Sequence, residues 1–395
     1  MIYLDNGATT FPKPEVVYQA MDIFARTGAV NAGRGAYAAA RAADQMIKNV
    51  RTGLISLMDA REQAQVVLTP SVTIALNQII YGQAWTENSI AYVSPYEHNS
   101  VLRPLDVLSK KIGFQVLELP LAEDLSIDLA KTAAMFEENP PSFVAVTAVS
   151  NVTGYILPHR EIFRLARRYG AFNLLDGSQA VGLIRLPFAQ TMADAICFAG
   201  HKTLYGPFGI AGFLIKNSAK LQVTLAGGTG TKSEDLAMPA SLPGSMEAGS
   251  KDTVAIAGLE AALKWLPSVK PLEHECAMVA HFIEEAGKID GVELYCAPGG
   301  LQNQAGVVSF GVRGFKAIEV AAILDNKYDI AVRAGHHCAA LIHQHLGSNK
   351  YAGTVRVSPG YFNTMEDIEV LLIALRNLDR SQLEGVADDI LRGAC

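Results

Sequence analysis

The sequence predicts an α/β protein with a large, mostly parallel β-sheet, followed by a smaller α+β unit. Short apolar runs bounded by turn residues recur through the first two thirds of the 395-residue chain, with helix-like segments between several of them. Strands that alternate with helices indicate a parallel sheet with helices on both faces. A Gly-, Ser- and Pro-rich stretch at 227–251 then reads as a loop that leads into a second unit.

The predicted strands of the large sheet are mostly continuous apolar runs, as expected for strands buried on both faces. They lie at 65–69, 89–94, 114–120, 143–150, 172–178, 195–200 and 210–216. Two helices are predicted between them. The first begins at a capping Asn99 or Ser100 and ends at Gly113, and the second runs over 158–170.

The second unit begins with an apolar helix at 253–266. Strands follow at 307–313 and 330–335, and a final helix extends from about Met365 to Leu378. These signals predict a smaller α+β unit after the loop.

Composition narrows the class of protein. The formal net charge is −6 without a basic run, which argues against nucleic acid or an anionic membrane surface as the main partner. No apolar run approaches the roughly 20 residues that cross a bilayer, and the first residues lack a signal-peptide pattern. The five cysteines contain no CxxC pair, so neither a disulfide framework nor a zinc ribbon is indicated. We expect a soluble, cytoplasmic protein.

Polar side chains follow five of the predicted strands, at the edge where parallel sheets bind ligands. They are Ser71 and Thr73, His98, Asn151, Asp176 and Gln179, and His201 and Lys202. Taken singly, each has an ordinary explanation as a helix cap, a turn residue or a solvated charge. Their coincidence at one edge favours a shared ligand.

These residue types together suit pyridoxal 5′-phosphate (PLP). An amine forms a Schiff base with the aldehyde, a buried carboxylate keeps the pyridinium nitrogen protonated, and a helix N-terminus binds the phosphate. An imidazole can lie on the ring and also move protons near pH 7. Two nucleotide-binding interpretations fail, because "GGTGTK" lacks P-loop spacing and no GxGxxG follows the first strand.

Eight motifs along nearly the whole chain resemble the class V aminotransferase family, and within it the cysteine desulfurase and selenocysteine lyase branch. They are "YLDNGATT", "EHNSVLRP", "SNVTG", "LLDGSQAVG", "FAGHKTLYGPFGIAGFLI", "MEAGSKD", "RAGHHCA" and "TVRVSPGYFNT". The resemblance implies the PLP-dependent transferase fold type I and an obligate homodimer. It also implies an N-terminal segment at 1–14 associated with the small domain, a PLP-binding domain at 15–255 and a small domain at 256–395.

The resemblance also implies roles for individual residues. Lys202 would be the Schiff-base lysine, Asp176 would contact the pyridinium nitrogen and Gln179 the ring oxygen, and His98 would stack on the ring. Arg356 would bind the substrate carboxylate. The remaining cofactor contacts would come from Val72, Thr73, His201, Asn151 (also near the substrate) and Ser250 of a partner subunit. Ala199 and Ser250 depart from the Ser and Thr that are usual in the family.

The stretch 333–347 contains Cys338 and four of the nine histidines. We expect Cys338 to attack the sulfur of L-cysteine and carry it as a persulfide for a sulfur-acceptor protein, with L-selenocysteine as an alternative substrate. Charged His336 and His337 would favour the thiolate, while His343 and His345 are expected to be ordinary helix residues.

Other interpretations of the chain remain open. Zinc is disfavoured by the ligand spacing in 333–347. If Cys338 is only a buried residue at a helix start, the chain would be another PLP enzyme, such as a β-lyase or an epimerase. A non-catalytic scaffold for a sulfur acceptor is a further alternative. Cys395 is either a second sulfur carrier or a free cysteine with no role.

Overall fold

A computed structural model describes residues 1–33, 35–230, 234–384 and 386. The strands are β1 Ile2–Tyr3, β2 Ala64–Thr69, β3 Ile90–Val93, β4 Gln115–Glu118, β5 Phe143–Thr147, β6 Phe172–Asp176, β7 Ala195–Ala199, β8 Ala211–Lys216, β9 Val292–Tyr295, β10 Val308–Val312, β11 Ile330–Ala331, β12 Arg333–Gly335 and β13 Thr354–Val357. The helices are α1 Glu15–Thr27, α2 Ala38–Leu57, α3 Val72–Tyr81, α4 Asn99–Ile112, α5 Leu129–Glu138, α6 His159–Ala166, α7 Phe188–Thr191, α8 Thr253–Trp265, α9 Pro271–Ala286, α10 Ala317–Tyr328, α11 Ile342–His345 and α12 Met365–Arg376.

The large sheet contains all seven predicted strands, in the order β2-β8-β7-β6-β5-β3-β4. The β4-β3-β5-β6-β7 pairs are parallel, whereas β8 is antiparallel to both of its neighbours. Alternate residues of one strand enter two different cores. In β5, Phe143 and Ala145 belong to one and Val144 and Val146 to the other. Burial on both faces explains the continuous apolar runs, and each large apolar side chain contributes about 1.5–3 kcal/mol.

The smaller sheet is antiparallel, with the order β12-β13-β10-β9, and its core includes residues of α9, α10 and α12. The predicted strand at 330–335 is divided between two sheets. Its first half, β11, pairs in parallel with β1 at the N-terminus, and its second half, β12, pairs with β13. The described part of 227–251 contains no helix or strand. Within the described residues, no helix has the length and apolarity needed to cross a membrane.

Candidate active site

A cavity of about 180 Å³ lies beyond the carboxyl ends of β5, β6 and β7. Eight of the predicted site residues line it: Val72, Thr73, His98, Asn151, Asp176, Gln179, His201 and Lys202. The parallel strands therefore bring together side chains that are up to 130 positions apart in the sequence (202 − 72). Arg356, Cys338 and Ser250 are not part of the lining.

Two helix N-termini meet at one end of the cavity. Ser71 caps α3 by accepting a hydrogen bond from the Ile74 N–H at 3.3 Å, and the Thr73 and Ser100 hydroxyl oxygens are 3.0 Å apart. The N-cap of α4 is His98, whose Nδ1 accepts from the Ser100 N–H at 3.0 Å, so the predicted Asn99 or Ser100 cap was wrong. Unpaired N–H groups of a first helical turn, together with hydroxyls, favour an anion such as a phosphate.

A lysine and a carboxylate lie in the same cavity. Burial lowers the pKa of Lys202 to about 8, although the nearby Asp176 opposes this shift. Asp176 is 4% exposed, and its Oδ1 accepts hydrogen bonds from the backbone N–H and the hydroxyl of Ser178. Among the described residues, Oδ2 of Asp176 makes no hydrogen bond, so this oxygen is available to a cationic N–H group. A lysine with a lowered pKa is a better nucleophile at neutral pH.

Both cavity histidines are neutral near pH 7. Burial, followed by the Lys202 charge, lowers the pKa of His98 to about 4 and that of His201 to about 3. That His98 moves protons in the reaction stays a prediction, and its neutral imidazole is the form that can accept a proton. Within the described chain, the buried Nδ1 of His201 has no hydrogen-bond partner. A buried polar atom of this kind indicates a missing partner such as a ligand oxygen.

Arg356 is almost completely buried, with 2% exposure, and lies beside the cavity. Its Nη1 donates to the Asn151 carbonyl at 3.2 Å, and its Nη2 lies 2.6 Å from Oδ1 of Asp5. Arg333 lies 3.9 Å from the other Asp5 oxygen. The buried Nε of Arg356 has no partner among the described residues. Asp5 is not among the residues predicted for the site, although it lies within the "YLDNGATT" motif.

Cys338 is exposed and lies at the tip of a tight turn, not in the first turn of a helix. The Ala339 N–H donates to the His336 carbonyl at 2.9 Å, and the central residues His337 and Cys338 have φ of 49° and 55°. Positive φ at both central positions is typical of a type I′ turn, which favours Asn-Gly. This conformation costs about 1–2 kcal/mol for each non-glycine residue, so the surroundings must stabilise the turn.

Two asparagines attach this turn to the cavity. The Asn99 N–H, at the start of α4, donates to the Cys338 carbonyl at 2.6 Å, and the Asn151 side chain donates to the His337 carbonyl at 2.7 Å. Asn99 follows the cavity residue His98, and Asn151 lines the cavity itself. The thiol-bearing turn is therefore fixed at the rim of the cavity.

The histidines around Cys338 differ from expectation. His337 is buried, and desolvation together with Arg356 holds its pKa well below the usual value, so it does not supply the expected positive charge. His343 is completely buried and contacts the turn, whereas His345 lies near Glu118 at the surface. Among the described residues, no group of three His, Cys, Asp or Glu side chains is arranged to hold a metal ion.

Two other predicted residues lie outside this arrangement. Ser250 is exposed and lines a separate cavity of about 560 Å³ with Arg51 and Lys251. Cys395 falls outside the described residues.

A protein-family model and similar proteins match the chain over most of its length. The family model "Aminotransferase class-V" matches residues 2–371. The chain is 31% identical to the probable cysteine desulfurase of Methanothermobacter thermautotrophicus, over 94% of this chain and 92% of that protein. It is 30% identical to the cysteine desulfurase of Salmonella agona, over 96% and 94%.

Two solved structures of cysteine desulfurases have a fold similar to that of the chain. The apo cysteine desulfurase from Thermococcus onnurineus has a TM-score of 0.88 at 28% identity, covering 96% of this chain and 95% of that one. The cysteine desulfurase CsdA from Escherichia coli has a TM-score of 0.83 at 26% identity, covering 98% and 95%. The chain belongs to the class V aminotransferase family, whose members are PLP-dependent enzymes of fold type I. Its matched relatives are cysteine desulfurases.

The cavity residues fit PLP. The N-terminal turn of α3 suits a phosphate, the neutral ring of His98 suits the face of an aromatic ring, and Asp176 Oδ2 suits a protonated pyridine nitrogen. Lys202 supplies the amine, and the buried Nδ1 of His201 still needs a partner. The family and the chain's own donor set therefore agree on the cofactor.

Proposed function

We propose that the protein is a cysteine desulfurase that converts L-cysteine to L-alanine and carries the sulfur as a persulfide on Cys338. One observation supports this above all. The turn of Cys338 is attached by Asn99 and Asn151 to the rim of the cavity that contains Lys202 and Asp176. A thiol in this position can meet the side chain of an amino acid bound over the cavity.

The lining of the cavity supports a set of proposed cofactor contacts. Val72, Thr73 and His201 hold the phosphate, while His98, Asp176, Gln179 and Asn151 hold the ring. PLP, when bound, withdraws electrons from the α-carbon of the substrate and so weakens the bonds to that carbon.

The protein's own groups bind the substrate and transfer its sulfur. Arg356 binds the carboxylate through N–H groups that Asp5 and Asn151 leave uncommitted. Lys202, with a pKa near 8, accepts the α-proton as a general base. The Cys338 thiolate attacks the substrate sulfur, so that an S–S bond forms and the C–S bond breaks, and the carbon side takes up a proton to become alanine. Atoms balance, since one thiol and one cysteine give one persulfide and one alanine.

The proposal extends to partners and location. Ser250 reaches the cavity of a second copy in a homodimer, and a sulfur-acceptor protein takes the sulfur from exposed Cys338. The chain works in the cytoplasm.

The test measures alanine and sulfide from L-cysteine and L-selenocysteine, with and without dithiothreitol. Cys338→Ala is expected to abolish sulfide release from L-cysteine and to leave the absorbance of bound PLP unchanged. Cys395→Ala is the matched control and is expected to keep full activity. Undiminished sulfide release by Cys338→Ala would refute the nucleophile role, and activity on L-selenocysteine alone would indicate a selenocysteine lyase.

A further inference from the structure

The turn that carries Cys338 is held at each of its first three carbonyl groups. The Cys338 carbonyl accepts from Asn99 and the His337 carbonyl accepts from Asn151. The His336 carbonyl accepts twice, from the Ala339 N–H at 2.9 Å and from Nε2 of His343 at 3.0 Å. The hydrogen bond from the Ala339 N–H to the His336 carbonyl closes the turn. Nε2 of His343 donates to the same carbonyl and therefore holds the acceptor of that closing bond.

The contacts of His343 fix its tautomer. A carbonyl oxygen only accepts hydrogen bonds, so Nε2 carries the proton. Nδ1 is then the acceptor for the Ser348 hydroxyl, which lies 2.7 Å away. Both ring nitrogens are therefore used within the protein. The bond that Nδ1 accepts needs the neutral ring, whereas the Nε2–H donor is present in either charge state.

The surroundings keep His343 neutral and in place. The residue and its partner Ser348 are completely buried. The His343 ring packs edge-on to His336, with centroids 5.0 Å apart, and lies 5.9 Å from the ring of His337. Burial, and after it His336, lowers the pKa of His343 to about 4. His343 therefore supplies a fixed, uncharged donor beneath a turn whose two central residues adopt an unfavourable conformation.

We propose that His343 is a positioning residue, whose Nε2–H holds the His336 carbonyl and so keeps Cys338 aimed at the substrate sulfur. This inference rests on the proposed role of Cys338. His343 touches neither the cavity nor the reacting atoms, and acts only through the turn.

Four substitutions separate positioning from simple packing. A glutamine amide reaches as far as Nε2, so His343→Gln keeps a donor to the His336 carbonyl. An asparagine amide reaches only as far as Nδ1, so His343→Asn loses that donor. His345→Asn is the matched control, because His345 is on the same short helix but lies at the surface beside Glu118. Ser348→Ala is a milder variant that removes only the partner of Nδ1.

The measurements use the PLP-loaded enzyme. For His343→Asn we expect a loss of roughly 10- to 100-fold in kcat for L-cysteine, since misplacing a reacting group by about 1 Å costs this much. KM and the absorbance of bound PLP stay unchanged, because Lys202 and Arg356 are untouched. Mass spectrometry shows correspondingly less persulfide on Cys338, and the Ala339 amide exchanges faster with deuterium. Ser348→Ala shows a smaller effect of the same kind, while His343→Gln and His345→Asn resemble the parent protein.

Two results would overturn the inference. Equal losses in His343→Gln and His343→Asn would show that His343 only fills space. The second result is an unchanged kcat and an unchanged Ala339 amide exchange in both His343→Asn and Ser348→Ala, while Cys338 is still required for activity. It would show that the turn keeps its conformation without the hydrogen bond from His343. Failure of the proposed function has a different signature, because Cys338→Ala would then keep its sulfide release.

Discussion

Replacing Asp5 by Asn tests whether the buried ion pair between Asp5 and Arg356, the arginine proposed to bind substrate, stabilises the folded protein. The substitution removes the charge that lies 2.6 Å from Arg356, whose side chain is 3% exposed. Removing one partner of a buried pair costs about 3–5 kcal/mol, because the other charge is left uncompensated. The Asp5 side chain is 18% exposed and the Asn151 carbonyl remains as a partner, so we expect a loss at the lower end, about 3 kcal/mol.

This loss is measurable as a thermal shift. An unfolding entropy of about 2.1 cal/mol/K per residue, applied to 395 residues, converts ~3 kcal/mol into a decrease of about 3–4 °C in Tm. Asp329→Asn is the matched control, because Asp329 pairs with the N-terminal ammonium in a pair that is 72% and 48% exposed. An exposed pair contributes up to about 1 kcal/mol, so this variant shifts Tm by about 1 °C at most. If scanning calorimetry found that Asp5→Asn lowers Tm no more than Asp329→Asn, the reasoning about the buried pair would be refuted.

Three further predictions concern stability. Gly154→Ala places a Cβ 2.0 Å from the Val307 carbonyl oxygen. It should lower Tm far more than Gly170→Ala, where no described residue beyond the two chain neighbours has an atom within 4 Å of the added Cβ. Equal shifts in calorimetry would contradict this. His343 binds a proton in the unfolded chain below pH 6.5 but in the folded chain only near pH 4. The free energy of unfolding therefore falls as pH drops through this interval, by up to ~1.4 kcal/mol per unit for this group, and urea titrations should show a shallower fall in His343→Gln. The pH dependence from Glu275 has the opposite sign, because burial raises the pKa of this carboxyl to about 8. The stability that its protonated form contributes is lost as pH rises from 4.5 through 8. Glu275→Gln should reduce that loss, and an unchanged slope of the free energy of unfolding against pH would contradict this.

The large sheet was predictable because its cause is local. Strands buried on both faces need apolar residues at every position, as β5 and β7 show, and this pattern is visible in the sequence. The cavity lining was predictable for a related reason, since parallel strands present their carboxyl ends at one edge. Polar residues that follow such strands, including Asp176 and Lys202, therefore meet there.

The surroundings of Cys338 and Arg356 were not predictable, because their causes are distant in the sequence. Asp5 pairs with Arg356 across 351 positions, and Asn151 reaches His337 across 186. The charge states of the histidines depend on burial, which spacing does not reveal. For this reason the sequence did not reveal that His337 is uncharged or that His343 is completely buried.

The location of the transferred sulfur shows whether Cys338 is the nucleophile. The PLP-loaded protein is mixed with one equivalent of L-cysteine without reductant, then digested and analysed by peptide mass spectrometry alongside quantification of alanine. We predict one added sulfur on the peptide that contains Cys338, in step with alanine formation. Alanine formed in full, with the added sulfur absent from that peptide, would contradict it.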